Sequence, residues 1–139
     1  MTDLKALYHQ WLFDVWSGDF DAVGRIFTAD VVGHWPTHDF HGPEEIADQV
    51  RQSHSLFTDI ENTLDGGPVV DGELLAARWT FHGSYQGGIP GAQAPAGTKV
   101  AFRGHDMLRA EGDRFAEYWV VSDGLGLMTR LGALGALGG

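Results

Sequence analysis

The sequence predicts a single α+β domain in which N-terminal helices cover one face of a strongly curved sheet. Three observations carry this prediction. Apolar side chains follow helical spacing in residues 1–57, and from residue 58 they alternate as they do in strands. The length of 139 residues suits one domain, 1–139, and neither a linker nor an internal repeat interrupts it.

Three helices are predicted in the N-terminal part. Residues 4–16 place apolar side chains at i, i+3, i+4 and i+7, and a short second helix that includes Phe27 begins at Asp19. The third helix opens at residues 42–45, where Pro suits the first helical position and two Glu suit the positive end of the helix dipole. Between the second and third helices, residues 34–41 are predicted to form a loop that is dense in His and aromatic side chains.

The strands are indicated by alternation and by turn signals. An Asp71-Gly72 pair after Pro68-Val69-Val70 predicts a hairpin, and residues 111–113 predict a second turn. Glycine-containing turns and strands of about 10 residues suit a sheet that bends strongly. Residues 124–139 are low in complexity and repeat Leu-Gly-Ala. The sequence does not decide whether this tail is ordered or flexible. The predicted strands cover residues 60–64, 73–85, 99–110 and 114–123.

The composition argues against several classes of partner. A formal net charge of −10 repels the phosphates of nucleic acids and anionic membrane surfaces. Because Cys is absent, disulfides, Fe–S sites and thiol nucleophiles are excluded. The sequence shows no signal-peptide pattern, and no window reaches the roughly 18 apolar residues of a membrane span. We therefore expect a cytoplasmic protein without a nucleic-acid or membrane partner.

Two stretches resemble a known family. Residues 27–34 (FTADVVGH), followed by residues 42–46 (GPEEI), and residues 109–119 (RAEGDRFAEYW), continuing to Asp123, are similar to SnoaL-like polyketide cyclases of the NTF2-like superfamily. The resemblance runs over roughly residues 5–130. It implies an NTF2-like cone, with a curved antiparallel or mixed sheet and N-terminal helices enclosing a pocket, in a homodimer or homotetramer.

The resemblance also implies a reaction and a set of site residues. The expected activity is the cofactor-independent, intramolecular aldol ring closure of a polyketide-like, hydrophobic small molecule. A family Asp at the end of the last strand, which acts as the acid/base group, matches Asp123. A pocket His matches His34, the second candidate catalytic residue, whose imidazole could polarise a carbonyl or keep the carboxylate ionised. A pocket aromatic at the end of the first helix matches Trp16, and a helix-three amide matches Gln52.

The residues themselves support part of this site and leave part of it open. Asp123 shares a predicted strand face with Trp119, and a carboxylate desolvated beside Trp would have a raised pKa. The alternative is a strand-end Asp that is either solvated or caps a turn. Only one of His105 and Asp106 can enter the pocket, and we expect His105, with the adaptable Met107 beside it. Further predicted pocket residues are Trp35, Phe57, His82 and Trp119.

Other chemistries remain as alternatives. His34, His38, Asp39 and His41 have the side chains of a zinc or iron site, but their spacing within a Pro-containing loop is a weak signal, and we expect no metal. No cofactor-binding motif is present, so we also expect no organic cofactor. The same pocket could open an epoxide, close a pyran ring or shift a double bond, or it could hold a hydrophobic ligand without catalysis.

Overall fold

The computed structural model describes residues 3–133, in which helices pack on the inner face of one curved sheet. The helices are α1 (Leu4–His9), α2 (Val23–Ile26), α3 (Gly42–Leu56) and α4 (Gly124–Leu131). The strands are β1 (Phe27–His34), β2 (Asp39–His41), β3 (Phe57–Asp71), β4 (Leu74–Tyr85), β5 (Lys99–Glu111) and β6 (Arg114–Ser122). This is the predicted α+β arrangement of helices and sheet.

The sheet is mixed rather than purely antiparallel. Across the described part of the chain, the strand order is β2-β1-β6-β5-β4-β3. Strands β3 to β6 form an antiparallel meander, whereas β1 runs parallel to β6 and antiparallel to β2. Register shifts interrupt the β3–β4 and β1–β6 pairs, and such irregularities bend a strand and increase its twist. The bent sheet leaves a hollow on its inner face, over which the helices lie.

The first predicted helix is confirmed as a helical segment with two geometries. Helix α1 begins after Asp3, whose carboxylate accepts hydrogen bonds from the backbone N–H groups of Lys5 and Ala6. Residues Gln10–Val15 continue it as a π-helix, a form that is frequent at functional sites. The apolar stripe faces inward, and Trp11 is completely buried.

Residues 27–41 differ from the prediction. Phe27 does not belong to the second helix, and residues 34–41 are not entirely loop, because β1 and β2 form a short hairpin here. The reason is long-range: Phe27 pairs with Phe115 of β6, and this pairing stabilises an extended backbone. A partner so far along the chain leaves no mark on the local pattern.

The predicted hairpins are confirmed, with small changes at the strand ends. Asp71 pairs with Leu74 across the turn, and Gly72 adopts the positive φ that this tight turn requires. The separately predicted strand 60–64 and the segment 68–70 are one strand, β3, and the register shifts beside Gly66. These long antiparallel strands form the wall that carries most of the site.

Two apolar clusters fill the interior. The larger cluster lies between the N-terminal helices and the sheet and centres on Trp11, which makes edge-to-face contacts with Phe27 and Tyr118. The smaller cluster contains Phe57 and other side chains from β4, β5 and α4. Trp16 and Trp79 pack against both clusters, and the hollow lies between them. None of the helices within residues 3–133 is long and apolar enough to span a membrane.

Part of the C-terminal tail, whose order the sequence did not decide, forms a helix. Residues 124–131 form α4, which buries Leu127 and Leu131 and ends at Gly132 in the left-handed conformation. The backbone N–H groups of Gln93 and Ala94 donate to the Leu131 carbonyl, which ties α4 to the loop between β4 and β5. The remainder of the predicted tail, residues 134–139, lies outside the described residues.

The packing of α4 can be tested with Leu131→Ala. We expect the free energy of unfolding to fall by about 2–5 kcal/mol, because the change leaves a cavity at a fully buried side chain. Leu125→Ala is the matched control on the same helix; its side chain is 68% exposed, so we expect a change of about 0.5 kcal/mol or less. Equal losses in urea denaturation would contradict the observed packing of α4.

Candidate active site

The hollow contains a cavity with six aromatic side chains in its wall. Its volume is about 150 Å³. The apolar lining consists of Leu12, Trp16, Trp35, Trp79, Phe81, Phe102 and Val120. The polar lining consists of Gln49, Ser53, Asn62, Asp106, Tyr118 and Ser122. An apolar pocket with a few convergent polar groups is the usual form of a small-molecule site.

Asp106 is the buried carboxylate of this cavity. Only 3% of its surface is exposed, and within residues 3–133 it is the one charged residue that is buried. Oδ2 accepts a hydrogen bond from the Tyr8 hydroxyl, and Oδ1 accepts one from the Tyr118 hydroxyl, each at 2.7 Å. Both oxygens are therefore satisfied inside the protein, as a buried carboxylate requires.

The burial of Asp106 changes how readily it holds a proton. Burial raises the pKa of its carboxyl from the ordinary 3.8 to about 6, against the opposing effects of Tyr118, Trp79 and Tyr8. Burial also raises the pKa values of Tyr118 and Tyr8 well above their ordinary range, and the nearby Asp106 charge adds to this effect. The two tyrosines thus remain protonated donors while Asp106 titrates closer to neutral pH.

The alternation of β5 decides which side chain of the pair 105–106 enters the cavity. Asp106 lies on the buried face with Leu108 and Ala110, whereas His105 and Met107 lie on the exposed outer face. The prediction that His105 and Met107 line the pocket is therefore wrong. The signal was present in the sequence, because Leu108 and Ala110 continue the face of Asp106.

Two glycines make room for the tryptophans of the wall. Gly104 pairs with Trp79 across β4 and β5, and a Cβ at Gly104 would lie 2.2 Å from the Trp79 ring. A Cβ at Gly33 would lie 2.7 Å from the Trp35 ring. Both distances are far inside van der Waals contact, so these positions accept no side chain while the rings keep their places.

Asp123 does not lie in the cavity. Strand β6 ends at Ser122, and Asp123 becomes the N-cap of α4, where Oδ1 accepts a 2.8 Å hydrogen bond from the Gly126 backbone N–H. The residue is exposed and lines an open surface cleft together with His82. The expectation of a desolvated Asp123 is therefore wrong, because the helix start removes its side chain from the inner face of the sheet. The predicted pocket position of His82 is also wrong, because the alternation of β4 puts its side chain on the exposed face, opposite to that of Phe81.

His34 and Trp119 lie together, but on the outer face of the sheet. The His34 ring bridges Asp39 (Nδ1 to Oδ1, 2.9 Å) and Glu117 (Nε2 to Oε2, 2.7 Å) and stacks on Trp119. The hydrogen bond to Glu117 raises the pKa of His34, with smaller contributions from Asp39. Glu117 also pairs with Arg109 at 3.4 Å. The predicted pocket positions of His34 and Trp119 are wrong, because β1 and β6 turn these side chains away from the cavity.

Of the remaining residues predicted to line the pocket, some line the cavity and others do not. Trp16 and Trp35 line the cavity as predicted. Gln52 is exposed on α3, and Gln49, nearly one helical turn earlier, lines the cavity in its place. Phe57 is buried, but it packs against Phe81 and Tyr85 rather than lining the cavity.

The possible metal ligands of residues 34–41 do not converge. His34 binds Asp39, whereas His38 contacts Thr37 and Phe40. No group of three or more His, Asp or Glu side chains in the described residues is arranged to hold a metal ion.

The sequence analysis did not assign several important lining residues to the pocket, among them Asn62, Trp79, Asp106 and Tyr118. Asn62 lies on β3, where its Nδ2 donates to the Leu12 carbonyl at 3.0 Å. Tyr118 was hidden within the stretch that carries the family resemblance, between Glu117 and Trp119. Its inward face follows from the burial of Val120 two residues later.

The fold and this buried site define an NTF2-like α+β cone, and the comparisons with known proteins place it in a family. The profile of the family described as SnoaL-like polyketide cyclase matches residues 6–131. The chain therefore belongs to the SnoaL-like polyketide cyclase family. A search of curated proteins gives no match.

Solved structures share this fold. TsrD from Streptomyces laurentii is 30% identical, with a TM-score of 0.80 over 93% of this chain and 94% of TsrD. IdmH from Streptomyces antibioticus is 22% identical, with a TM-score of 0.81 over 94% and 99% of the two chains. A SnoaL-like polyketide cyclase from Agrobacterium tumefaciens is 22% identical, with a TM-score of 0.76 over 95% and 100%. The last two similarities show the fold.

The position of the Trp79 ring against Gly104 can be tested with Gly104→Ala. The new methyl group displaces the indole, so we expect the free energy of unfolding to fall by about 1–3 kcal/mol and the Trp79 indole N–H resonance to shift. Gly24→Ala is the control, because a Cβ at Gly24 meets no atom within 4 Å. If Gly104→Ala leaves both the stability and the indole resonance unchanged, the described position of Trp79 is contradicted.

Proposed function

We propose that this chain is a cofactor-independent acid/base enzyme that closes a ring by intramolecular aldol addition in a small, largely apolar carbonyl compound. The single observation that supports the proposal is Asp106, a buried carboxylate with a pKa of about 6 on the wall of an aromatic cavity. A base with a pKa near the working pH combines a large ionised fraction with useful basicity. Membership in the family of polyketide cyclases supports the same class of reaction.

The first step is proton removal. The Asp106 carboxylate takes a proton from a carbon next to a substrate carbonyl, and the electron pair of the C–H bond moves onto the carbonyl oxygen to form an enolate. The apolar walls exclude water, which would otherwise solvate the carboxylate and weaken it as a base. The cavity also holds the two reacting ends of one substrate close together, which lowers the entropic part of the barrier.

The second step forms the ring. The enolate carbon attacks the second carbonyl carbon of the same molecule, a C–C bond forms, and the attacked oxygen becomes an alkoxide. Asp106, now a carboxylic acid, returns its proton to this alkoxide, so the product is a hydroxy ketone and the enzyme regains its starting state. No external oxidant, reductant or metal takes part in this balance.

Tyr118 gives the site a second function during these steps. In the ligand-free protein its hydroxyl donates to Asp106 Oδ1. When Asp106 gains a proton, that oxygen attracts the hydroxyl less, and Tyr118 becomes able to donate to the enolate oxygen instead. Tyr8 does not line the cavity, so it is a positioning residue that holds Oδ2 in place.

A non-catalytic ligand-binding protein is the second candidate. The observation in its favour is that both Asp106 oxygens already accept tyrosine hydrogen bonds, as in a purely structural network. In that case Asp106 would fix α1 against the sheet, and the cavity would only hold an apolar molecule.

Hydrogen–deuterium exchange separates the two candidates. Exchange of the α-hydrogens of cyclohexanone in D₂O, followed by proton NMR, reports proton removal without the natural substrate. We expect the protein to accelerate exchange above buffer and Asp106→Asn to lose about 10²–10⁴-fold of that acceleration. The rate should rise with pH through about 6 and then level off, because the ionised carboxylate is the base.

Asp123→Asn is the matched control, since Asn is as good a helix N-cap as Asp and the position is exposed. We expect it to keep the full exchange rate. A protein without acceleration, or an Asp106→Asn variant that exchanges as fast as the unchanged protein, favours the binding function. A loss of rate in Asp123→Asn alone would return the acid/base role to the end of β6.

A further inference from the structure

The size of the cavity limits what it can hold. Pockets for drug-sized ligands measure about 300–1,000 Å³. The cavity here has a volume of about 150 Å³, and an apolar cavity engineered to that size in another protein holds one benzene molecule. Flat indole and phenyl groups from Trp16, Trp35, Trp79 and Phe102 form its walls. The space therefore matches one six-membered ring.

Two polar atoms in the wall lack a full hydrogen-bond partner. Within residues 3–133, the buried side-chain atoms without a hydrogen bond of normal geometry are Trp11 Nε1, Asn62 Oδ1 and Trp79 Nε1, and the last two belong to residues that line the cavity. The orientation of the Asn62 amide is defined, because the Leu12 carbonyl can only accept and must face the amide NH₂ group. The cavity wall thus holds one acceptor without a partner, Asn62 Oδ1, and one donor, the Trp79 N–H, whose contact with Asp106 falls short of normal hydrogen-bond geometry. Buried polar groups are normally paired.

These two atoms specify the polar groups of a ligand. The Trp79 indole N–H suits an acceptor such as a carbonyl oxygen, and Asn62 Oδ1 suits a donor such as a hydroxyl. The Trp79 N–H also faces the Asp106 carboxyl closely enough for a weak hydrogen bond, which lowers the pKa of that group. A carbonyl that accepts from Trp79 would therefore lie next to the base. A ring that carries both groups is the product of an aldol closure, in which one carbonyl survives and the other becomes a hydroxyl.

Three side chains separate the cavity from a neighbouring surface cleft. Leu12, Trp16 and Asn62 line both the cavity and this cleft, whose volume is about 230 Å³. The Trp16 backbone is fixed, because its carbonyl lies 2.9 Å from His54 Nε2. Its indole makes edge-to-face contacts with Trp11 and Phe81, which hold the ring between the two spaces, so its removal would join them.

We propose that the natural product or ligand of this site is a single six-membered ring bearing one ketone and one hydroxyl group, and that Trp16 sets the one-ring limit. The inference rests on the proposed function and names its product class. Trp79 holds the ketone oxygen, Asn62 accepts the hydroxyl hydrogen, and fused-ring compounds are excluded.

Binding of three probes tests the inference: cyclohexanone, 3-hydroxycyclohexanone and the fused two-ring ketone 2-decalone. Titrations of ¹⁵N-labelled protein would follow the indole N–H resonances, with that of Trp79 assigned from Trp79→Phe. We expect 3-hydroxycyclohexanone to bind roughly fivefold more tightly than cyclohexanone, as one net hydrogen bond allows. We expect 2-decalone to bind at least about tenfold more weakly than cyclohexanone.

Variants assign each preference to a side chain. Asn62→Ala should abolish the advantage of the hydroxyl, and Trp79→Phe should weaken both one-ring ketones roughly fivefold. Trp16→Ala should raise the affinity for 2-decalone at least about tenfold. If this variant does not fold, Trp16→Phe replaces it and should raise the affinity by a smaller factor. Trp119→Phe is the matched control on the outer face and should leave all three affinities unchanged.

The outcomes separate this inference from the proposed function. Binding of 2-decalone to the unchanged protein as tight as that of cyclohexanone overturns the one-ring limit, and equal affinities for the two one-ring ketones overturn the polar assignment. The same preferences should persist in Asp106→Asn, because they depend on the cavity and not on proton transfer. Intact preferences without any hydrogen exchange would refute the enzyme and leave the ligand class standing.

Discussion

Burying one carboxylate is the constraint on which both the fold and the site depend. An ionised carboxylate without water is costly unless hydrogen-bond donors replace the solvent. Tyr118 supplies one donor from β6, and Tyr8 supplies the other from α1. Because Tyr8 belongs to the N-terminal helix, the pair of bonds to Asp106 also fixes that helix over the sheet. Asp106, the buried carboxylate of the cavity, therefore also helps to hold α1 over the cavity.

The alternation of side chains along the sheet sorts the polar groups into two sets. On the inner face, Asp106 and Tyr118 meet a cavity without bulk solvent. On the outer face, His34 and Glu117 satisfy each other, and Trp119 stacks on the imidazole. Adjacent residues in one strand therefore have different environments, and only the inner set has the desolvation that moves a carboxyl pKa toward neutrality.

Local signals in the sequence were enough to predict most of the helices and strands and their order along the chain. Pro43 in the first turn of α3 and the turn at Gly72 each depend on neighbouring residues only. The parallel pairing of β1 with β6 depends on contacts far along the chain, and no local pattern records it. The position of Asp123 depends on where β6 ends and α4 begins, which the packing of α4 decides. Asp106 could have been assigned to the cavity, since Leu108 continues its face.

The central claim is that Asp106 titrates close to neutral pH inside the cavity. The most direct measurement is a ¹³C NMR titration of the carboxyl groups in protein labelled at the Asp side chains, with the Asp106 signal identified by its absence from Asp106→Asn. The account predicts a midpoint at about pH 6. A midpoint at the ordinary value near 3.8 would show that burial does not move this carboxyl toward neutral pH and would contradict the proposed role of Asp106.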